Sequence, residues 1–457
     1  MTFSDYMDYL RDKRIGVIGF GVSNQPLVRV LLRNGCDVTV CDRRERARLG
    51  AAGDETAAQG AKFILGADYL EHLDFDVIFR TPGVLPIVPQ LRKAAQNGAI
   101  LTSEMEAFCN LCPCRIIAIT GSDGKTTTTT LVGEIFKNYG KTAYVVGNIG
   151  YPFTACAIHA GPEDVAVAEV SSFQLETITT FHPHVAVMCN ITEDHLNRHG
   201  TMEEYIRIKE RIFEKMDEND FAVLNYDDEI VRGMAARLHC RAAFFSHRAE
   251  VQLGTYVEDG EMIFVKDGKK KKIIKVDEIY IPGEHNLENA LAAAALTLLA
   301  GVPAHVVKHT LKTLRGVEHR IETVRTVDGV TYINDSKGTN VDASIKAVRT
   351  MKVGTVLLAG GYDKHTDFTP FAREIKDSKI HTVVTLGDTA GQIEDALRSV
   401  GYDSFVRAGT FEDAVMKAKT LAKPGENVLL SPACASFDMF ADYEQRGRVF
   451  KDIVNRM

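Results

Sequence analysis

A phosphate-binding pattern in the middle of the chain constrains the fold more than any other feature. The stretch AITGSDGKTTTTT (residues 118–130) puts an apolar strand before a glycine-containing loop and a helix after it. In this arrangement backbone N–H groups and the helix N-terminus surround phosphates, Lys125 faces the β and γ oxygens, and a threonine hydroxyl contacts Mg²⁺. The glycine spacing is shorter than usual, because Ile119 stands where the first glycine would be. The pattern predicts an α/β protein that binds a nucleoside triphosphate.

The same alternation of strands and helices recurs along the whole sequence. RIGVIGFG, NQPLVRVLLRNG and DVTVCD read as strand, helix and strand, and such a βαβ unit implies a parallel sheet. DVAVAEV and HVAVMCN, and later VLLAGG, HTVVTLG and NVLLSPA, are apolar runs typical of buried parallel strands. At 457 residues the chain is too long for one core. We predict a Rossmann-like domain over 1–107, a central parallel sheet of P-loop ATPase type over 108–316, and a second Rossmann-like domain over 317–457.

Bulk properties argue against several classes of function. The net charge of -7 and the pI near 6.1 disfavour a nucleic-acid-binding surface, because a phosphate backbone needs a concentrated basic face. The one basic run, residues 266–275, reads as a solvated hairpin turn between short strands. No apolar run reaches the roughly 18 residues that cross a bilayer, and the first residues lack the apolar core of a signal peptide. We expect a cytoplasmic monomer that binds neither nucleic acid nor membrane.

Cysteine usage leaves one alternative open. Nine cysteines, an odd number scattered through predicted strands and helices, favour reduced thiols over a disulfide framework. Cys109, Cys112 and Cys114 in CNLCPC could belong to a zinc site, but no second CxxC pair accompanies them.

Two polar residues follow predicted strands of the central sheet. Glu169 ends DVAVAEV, and His195 lies in NITEDHLNRHG after HVAVMCN. The carboxyl ends of parallel strands line the ligand crevice, where a carboxylate suits Mg²⁺ and a histidine suits a site role. The alternatives are an ordinary strand-end glutamate and a surface histidine. Their position beside the phosphate loop favours a functional site.

The glycine turn near the N-terminus gives a weaker signal. Gly19-x-Gly21-x-x-Asn24 departs from G-x-G-x-x-G at its third position, while Asp42 follows at roughly the spacing of a ribose-binding acid. The pattern predicts a Rossmann-type crevice without specifying the nucleotide. Asn24 and the two arginines after Asp42 weaken the case for NAD.

A lysine lies on the apolar face of a predicted helix over EEYIRIKERIFEKM (residues 203–216). Lys209 falls near the middle of the apolar stripe, and Thr201 is a plausible N-cap. The side chain could bury its methylene stem while its ammonium reaches solvent. Alternatively its nitrogen has a chemical role, because this helix follows the loop of His195 and should pack beneath the phosphate site. The other residues of the stripe are Tyr205, Ile208, Ile212, Phe213 and Met216.

Motifs along the whole chain resemble those of a known family. TGSDGKTT, GNIG, EVSSFQLE, NITEDHLNRHG, GEHNLENALAA, HRIE, NDSKGTN, LAGGYDK and SPACASFDMF are similar, in order, to motifs of the Mur ligases of peptidoglycan synthesis. NDSKGTN and SPACASFD are most similar to the members that add D-glutamate. The resemblance covers all three predicted domains. It implies an ATP-dependent ligase of bacterial cell-wall biogenesis, on which cell shape and cell division depend.

The resemblance implies a role for each matching residue. The catalytic residues would be Lys125, Glu169, His195 and Lys209. Those that would bind ATP are Gly121, Ser122, Asp123, Gly124, Lys125, Thr126, Thr127, Thr128, Asn286, Asn289, Arg320 and Asp335. Those that would bind the UDP-sugar are Gly21, Val22, Ser23, Asp42, Arg43, Thr81, Gly83, Asn148 and His195. Those that would bind D-glutamate are Lys337, Thr339, Lys364, Ser436, Phe437 and Tyr443, and those near the metal are Thr126, Thr127, Glu169, His195 and Lys209.

The resemblance also implies a reaction and its cofactors. ATP would phosphorylate the carboxylate of UDP-N-acetylmuramoyl-L-alanine, and the amine of D-glutamate would attack the resulting acyl phosphate. Two Mg²⁺ ions would take part. The lysine aligned with Lys209 is carbamylated in this family, so Lys209 is expected to react with CO₂ and act as a carboxylate on a long stem. Closure of the third domain on the second would exclude water from the acyl phosphate.

Three other functions remain as alternatives at this point. A folylpolyglutamate synthetase shares the ATP chemistry, but its folate loop is not recognisable. An NAD-dependent dehydrogenase explains the first βαβ unit and leaves GSDGKTT without a purpose. A non-catalytic, nucleotide-gated binding protein explains the phosphate loop but not the D-glutamate residues.

Overall fold

The computed structural model describes residues 3–363 and 366–457. These residues form two compact units, one ending at Leu314 and one beginning at Arg315. The first unit contains two β-sheets and the second contains one. Among the described residues, no helix combines the length and the hydropathy needed to cross a membrane. Lys364, predicted to bind D-glutamate, lies outside the described residues.

The N-terminal sheet contains five parallel strands. They are β1 (Arg14–Ile18), β2 (Asp37–Asp42), β3 (Lys62–Leu65), β4 (Val77–Arg80) and β5 (Ile100–Thr102). Their order, β3-β2-β1-β4-β5, places β1 beside β4, so the loops after these two strands meet at one edge. Gly19, directly after β1, has φ +84°, and a Cβ there would lie 2.8 Å from the side chain of Thr81. The helices are α1 (Phe3–Arg11), α2 (Asn24–Arg33), α3 (Gly50–Ala58), α4 (Pro89–Gln96) and α5 (Glu104–Leu111).

The central sheet contains nine strands. They are β6 (Arg115–Thr120), β7 (Ala143–Gly147), β8 (Val165–Glu169), β9 (Val185–Met188), β10 (Phe221–Asn225), β11 (Arg241–Ser246), β12 (Gly254–Glu258), β13 (Glu261–Lys266) and β14 (Lys269–Lys275). The order is β14-β13-β12-β11-β10-β9-β6-β8-β7, and only the β12-β13 and β13-β14 pairs are antiparallel. The phosphate-loop strand β6 therefore lies between β8 and β9.

Two long helices cover one face of the central sheet. The buried middle of α12 contacts α6, and the small side chains of Ala290 and of Ala292 to Ala295 allow the two helices to approach closely. This contact brings the N-termini of both helices to the same end of the sheet. The helices of this region are α6 (Lys125–Asn138), α7 (Phe153–His159), α8 (Ser172–Leu175), α9 (Leu196–His199), α10 (Met202–Glu210), α11 (Glu229–Met234), α12 (Glu284–Leu299) and α13 (Ala304–Thr313).

The second unit contains a six-stranded sheet. Its strands are β15 (Glu322–Val327), β16 (Val330–Asn334), β17 (Thr355–Ala359), β18 (Ile380–Thr385), β19 (Phe405–Arg407) and β20 (Asn427–Leu430). The order is β15-β16-β20-β17-β18-β19, with β15 antiparallel to β16 and the other pairs parallel. The helices are α14 (Val341–Thr350), α15 (Thr369–Lys376), α16 (Ala390–Ser399), α17 (Phe411–Leu421) and α18 (Tyr443–Asn455).

The predicted α/β class with three sheets rich in parallel strands is confirmed. The basic run forms the predicted hairpin between β13 and β14. The helix predicted over 203–216 is wrong in its extent, because α10 ends at Glu210 and a 3₁₀ turn, Arg211–Phe213, follows. The apolar stripe is buried as predicted, since the tighter turn keeps its last residues facing the core. The domain boundaries at 107 and 316 stay predictions.

Candidate active site

The phosphate loop connects β6 to α6 and is fixed by the chain on either side of it. Gly124 has φ +78°, and a Cβ there would lie 2.3 Å from Oδ1 of Asn289 in α12, so a glycine is needed for this close approach. The same Oδ1 accepts a hydrogen bond from Thr128 Oγ1 at 3.3 Å. On the other side, Asp123 N donates to Asn190 Oδ1 at 2.8 Å. The loop is therefore held between α12 and the segment that follows β9.

Lys125 occupies the first position of α6, where a phosphate-binding lysine is expected. Its Nζ donates to the carbonyl oxygens of Gly121 at 2.9 Å and Ser122 at 2.7 Å. Ser122 is itself fixed by a hydrogen bond from its Oγ to Thr192 O at 3.0 Å and by contact with Tyr205 Oη. The ammonium of Lys125 thus lies inside the loop that it is predicted to serve.

Glu169 ends β8 and is 1% exposed. Its Oε1 accepts a hydrogen bond from Asn148 Nδ2 at 2.8 Å. Its Oε2 is buried and, among the residues that the structure describes, has no hydrogen-bond partner. An unpartnered buried carboxylate oxygen is costly, and a cation is a group that would satisfy it. The arrangement fits a divalent metal ion beside the phosphate loop.

Lys209, in the last turn of α10, is 2% exposed, so its ammonium does not reach solvent. Nζ donates to Gly121 O at 2.8 Å, lies 3.5 Å from Thr120 Oγ1, and lies 5.0 Å from the ring centroid of Tyr205. Burial, with the positive charge of Lys125 adding to it, lowers the pKa of Lys209 to about 7. A substantial fraction of the side chain is therefore a neutral amine near neutral pH.

The lowered pKa of Lys209 predicts a pH-dependent stability. Between about pH 7 and its ordinary pKa of 10.5, the unfolded chain binds a proton that the folded chain does not, so the stability should rise with pH. Relative to Lys209→Met, the free energy of unfolding of the wild type should gain about 1.4 kcal/mol per pH unit in that window. Urea unfolding of both proteins from pH 6.5 to 9.5 in CO₂-free buffer measures this. Parallel curves would contradict the lowered pKa.

His195 lies between β9 and α9, with φ +54°. Its side chain is half-exposed and packs against the ring of Phe173, with the centroids 4.8 Å apart. Burial lowers its pKa, and the positive charges of Lys125, Lys209 and Arg198 act in the same direction, while Asp194 opposes them. The imidazole is therefore neutral near pH 7 and can accept a hydrogen bond or a metal ion.

A cleft of about 480 Å³ brings predicted residues from two sheets together. Lys125, Asn148, His195 and Lys209 line it from the central sheet. Ser23, Thr81 and Gly83 line it from the loops after β1 and β4. Residues predicted to bind a nucleoside triphosphate thus lie beside residues predicted to bind a UDP-sugar. Glu169 lies just behind the cleft through its hydrogen bond to Asn148.

The predicted UDP-binding residues after the strands of the N-terminal sheet differ in exposure and in how many hydrogen bonds they already make. Both carboxylate oxygens of Asp42 are already occupied, by Phe20 N at 2.7 Å and by the Arg44 guanidinium. Burial acts to raise the pKa of Asp42, but the hydrogen bonds from Arg44 and Phe20 outweigh it and lower the pKa below its usual value. Arg43 is exposed, as are Gly21 and Val22.

Asn24 explains the departure from the third glycine of the dinucleotide pattern. It is buried, and its Nδ2 donates to Ile18 O at 3.2 Å and Gly19 O at 2.8 Å. The side chain therefore ties the start of α2 to the end of β1, at the position where a third glycine would allow close packing of helix and strand.

The residues predicted on the second unit lie at the carboxyl edge of its parallel strands. Asp335 follows β16 and accepts hydrogen bonds from Ser431 Oγ at 2.7 Å and Ile321 N at 3.2 Å. Burial raises the pKa of Asp335 to about 7, against the Ser431 hydrogen bond. Lys337 Nζ lies 5.9 Å from the ring centroid of Tyr443. The other predicted residues here are Arg320 and Thr339, both half-buried, Ser436, which is buried, and Phe437, which is 62% exposed.

Sequence reasoning missed four buried charged residues around these two sites. Arg446 of α18 is 1% exposed and donates to Ser336 O at 2.8 Å and Cys434 O at 3.0 Å, which joins the loops of Lys337 and Ser436. Arg446 lies on the apolar face of α18, as Lys209 does on α10, so the sequence pattern could have indicated that it is buried. The other three residues are Arg80, Glu176 and Arg198.

The zinc alternative is not supported by the described residues. Among them, the only group of three or more metal-binding side chains close enough to share an ion is His182, Asp217 and Asp220. His182 Nε2 lies 2.6 Å from Asp220 Oδ2, so two members of this group are already hydrogen-bonded to each other. It precedes β9 and β10, at the edge of the sheet opposite the phosphate loop.

Comparisons with known proteins agree with this site. The Mur ligase middle domain matches residues 119–297, and the Mur ligase, glutamate ligase domain matches residues 319–434. The chain is 46% identical over 449 residues to the UDP-N-acetylmuramoylalanine--D-glutamate ligase of Thermoanaerobacter sp. (strain X514), covering 97% of this chain and 98% of that one. It is 44% identical over 448 residues to the ligase of the same name from Alkaliphilus oremlandii (strain OhILAs), with 97% and 98% covered.

Solved structures show the same fold. The UDP-N-acetylmuramate-alanine ligase MurC from Thermotoga maritima superposes with a TM-score of 0.56 at 21% identity, covering 97% of this chain and 99% of that one. MurF from Acinetobacter baumannii superposes with a TM-score of 0.55 at 16% identity, covering 96% and 90%. With the two domain matches and the full-length relatives, this shows that the chain belongs to the Mur ligase family, among the UDP-N-acetylmuramoylalanine--D-glutamate ligases.

Proposed function

We propose that this protein joins D-glutamate to UDP-N-acetylmuramoyl-L-alanine, with cleavage of ATP to ADP and phosphate through an acyl phosphate. The cleft shared by the phosphate loop and the N-terminal sheet carries the proposal, because it brings Lys125 of the predicted triphosphate site next to residues predicted to bind the UDP-sugar. The relatives' names supply the identity of that substrate and of the amino acid. We expect the protein to act as a monomer in the cytoplasm, where ATP is available.

The side chains of the cleft suit a transfer driven by positioning and charge neutralisation. Lys125 would turn from the carbonyls of its own loop to the β and γ phosphates of ATP. Backbone N–H groups of the loop and of the N-terminus of α6 would hold the remaining phosphate oxygens. Asn289, which lies against Gly124, would set the position of the nucleotide from α12, with Asn286 beside it. Arg320 and Asp335 are proposed to contact ATP from the second unit.

Glu169, His195 and Thr126 with Thr127 are proposed to hold Mg²⁺, and two ions are expected. The unpartnered Oε2 of Glu169 supports this, and so does the position of His195 in the cleft, where burial lowers the pKa of its imidazole. Bound Mg²⁺ would neutralise charge on the phosphates of ATP. Asn148, by holding Oε1, fixes the Glu169 carboxylate with its second oxygen free.

Lys209 is proposed to carry a carbamate. Its neutral amine would attack the carbon of CO₂, so that an N–C bond forms and the electron pair of one C–O π bond moves to that oxygen, while the nitrogen gives one proton to a water molecule in the cleft. Deep burial and a pKa of about 7 favour this reaction, because only the neutral amine is nucleophilic. The product would be an anion on the floor of the cleft, next to the phosphate loop.

D-glutamate is proposed to bind at the carboxyl edge of the third sheet. Lys337, Thr339 and the predicted Lys364 would hold its carboxylates, with Ser436, Phe437 and Tyr443 forming the remaining wall. Arg446 supports this arrangement, because it donates hydrogen bonds to both loops that carry these residues.

Substrate-dependent phosphate release tests the function. With ATP and Mg²⁺ present, phosphate should appear only when UDP-N-acetylmuramoyl-L-alanine and D-glutamate are both supplied, because the acyl phosphate needs an amine to complete turnover. L-glutamate and D-aspartate, tested side by side, are expected to give little release. Phosphate release with ATP as the only substrate, or with an acceptor substrate unrelated to a UDP-sugar, would overturn the proposal. Mass spectrometry of the product identifies the new amide bond.

A further inference from the structure

Three buried charged side chains form one network between the N-terminal and central sheets. Arg80, at the end of β4, is 1% exposed, and its Nη2 lies 3.3 Å from Glu176 Oε2. Arg198, at the end of α9 and 10% exposed, donates from Nε to Glu176 Oε1 at 2.6 Å and from Nη2 to Glu176 Oε2 at 2.7 Å. Glu176 is 6% exposed. Two guanidinium groups therefore share a single carboxylate with little water around them.

Both arginines also hold the loop after β4, residues 81–84. Arg80 Nη1 donates to Thr81 O at 3.2 Å and Pro82 O at 3.4 Å, and it also contacts Val84 O. Arg198 Nη2 donates to Pro82 O at 2.7 Å across 116 positions of the sequence. The carbonyls of this loop are thus fixed from two directions. Its Thr81, Pro82 and Gly83 form part of the wall of the cleft.

The network reaches the central part of the cleft through Phe173. The Arg198 guanidinium lies over the Phe173 ring, 4.0 Å from its centroid, and His195 packs against the same ring. Arg80 Nη2 donates to Phe173 O at 3.4 Å. The loop after β4 and the imidazole of His195 are consequently fixed to one group of side chains.

Stability alone does not account for these buried charges. The network holds two positive charges and one negative charge, and Arg80 Nε is buried with no hydrogen-bond partner among the described residues. Burial lowers the pKa of Arg80 to about 10, with Glu176 opposing, so it remains charged at neutral pH. Buried ion pairs usually add little to stability relative to apolar side chains of the same size, so the hydrogen bonds of this network to the loop of residues 81–84 point to a positioning role.

We propose that Arg80, Glu176 and Arg198 are positioning residues that hold the loop of residues 81–84 at a fixed distance from His195 and the phosphate loop. This rests on the proposed function and on the expectation that Thr81 and Gly83 of this loop bind the sugar nucleotide while its carboxylate receives a phosphoryl group. The network fixes the distance between the bound sugar nucleotide and ATP, and so governs whether the two reacting atoms meet. None of the three residues contacts the reacting atoms in this role.

Arg198→Met tests the proposal by a comparison of kinetic constants. The KM for UDP-N-acetylmuramoyl-L-alanine should rise about tenfold, as for loss of one hydrogen bond from a charged donor. The kcat should fall about 10- to 100-fold, because small misplacements of reacting groups are costly. The KM for ATP should change less than about twofold, since no hydrogen bond seen among the described residues joins the phosphate loop to Arg80, Glu176 or Arg198. Steady-state kinetics with each substrate varied in turn give these values.

Arg211→Met is the matched control. Arg211, in the 3₁₀ turn after α10, is an arginine that is largely shielded from solvent, as Arg198 is. Its Nη1 donates to Leu175 O at 2.8 Å and to Glu176 O at 2.7 Å. Among the described residues its side chain makes no hydrogen bond to residues 81–84. Its loss should lower the thermal stability about as much as Arg198→Met does, while both KM values stay near wild type. If Arg198→Met does not fold, Arg198→Lys replaces it, because a lysine keeps the charge but cannot hold Glu176 and Pro82 together.

The outcomes separate the positioning role from the function itself. A selective rise in the KM for the sugar nucleotide in an Arg198 variant, absent from Arg211→Met, supports the proposal. An equal rise for ATP and the sugar nucleotide, or the same pattern in Arg211→Met, overturns it and leaves a purely structural role. If the wild type does not release phosphate in the presence of both substrates, the proposed function fails, whatever the variants do.

Discussion

Lys209→Ala is expected to lower kcat about 100- to 1,000-fold, the range found when one preorganised charged group is removed from an active site. Nζ of Lys209 lies 2.8 Å from Gly121 O, directly beneath the loop that would hold the phosphates of ATP. The neighbours of Lys209 on the buried stripe of its own helix are apolar or aromatic, so none of them can supply a carboxylate in its place. The fall should appear at saturating substrates, since the proposed carbamate acts in the transfer and not in capture of the substrates. Release of ADP measures it.

Chemical rescue and labelling separate the carbamate from a purely structural lysine. The alanine variant leaves space on the floor of the cleft, so acetate or formate should restore part of the activity, and chloride should restore less. Lys209→Arg should stay inactive under the same conditions, because a guanidinium does not react with CO₂ at neutral pH. Lys215→Ala, at a half-exposed lysine nearby, is the control and should be fully active. Full activity of Lys209→Ala, or a wild-type protein without a ¹³CO₂-derived carbamate signal in NMR, would contradict the role.

The residues at strand ends could be predicted from the sequence because parallel strands present their carboxyl ends at one edge. Glu169 ends β8 and His195 lies in the loop after β9, and the sheet order places these two strands on either side of the phosphate-loop strand β6. The apolar stripe singled out Lys209 but left open whether its ammonium reaches solvent, and the structure shows that the side chain is buried. In each case a local pattern of a few residues carried the information.

Contacts between distant segments could not be predicted in this way. Arg198 and Pro82 are 116 positions apart, and no local pattern indicates that a guanidinium from α9 holds the loop after β4. Asp42 is a second example of a contact that the sequence does not reveal. The spacing predicts an acid at the glycine turn, but not that Arg44 and Phe20 N occupy both of its oxygens. Such pairings depend on how packed elements are aligned, which periodicity does not encode.

The end of α10 is a further case. Periodicity predicts one helix through residue 216, since the apolar stripe continues that far. The structure changes to a 3₁₀ turn after Glu210, where Arg211 donates to the carbonyls of Leu175 and Glu176. A tertiary hydrogen bond here accompanies a change that helix propensity alone would not produce.

Glu169→Gln is expected to lower kcat about 100- to 1,000-fold while leaving the folded protein as stable as the wild type, or more so. The amide removes the negative charge that suits a cation but keeps the shape of the side chain and the oxygen that accepts from Asn148. Stability should not fall, because Oε2 of Glu169 is buried without a hydrogen-bond partner among the described residues and no contact is lost. Phosphate release at several Mg²⁺ concentrations and urea unfolding of the same preparations measure the two effects.

Glu106→Gln is the matched control for Glu169→Gln. Glu106 is also a buried glutamate, but its oxygens accept hydrogen bonds from Thr179 Oγ1 at 2.6 Å, Thr180 N at 2.8 Å and Phe181 N at 3.2 Å. An amide there leaves a donor facing donors, so the free energy of unfolding should fall by about 1–3 kcal/mol while the Mg²⁺ dependence stays unchanged. If Glu169→Gln instead behaves like Glu106→Gln, losing stability and keeping activity, then Glu169 serves the fold and the metal site must be sought elsewhere. If Glu169→Gln loses activity while its stability stays the same or rises, the unpartnered Oε2 of Glu169 is kept for a cation at the expense of stability.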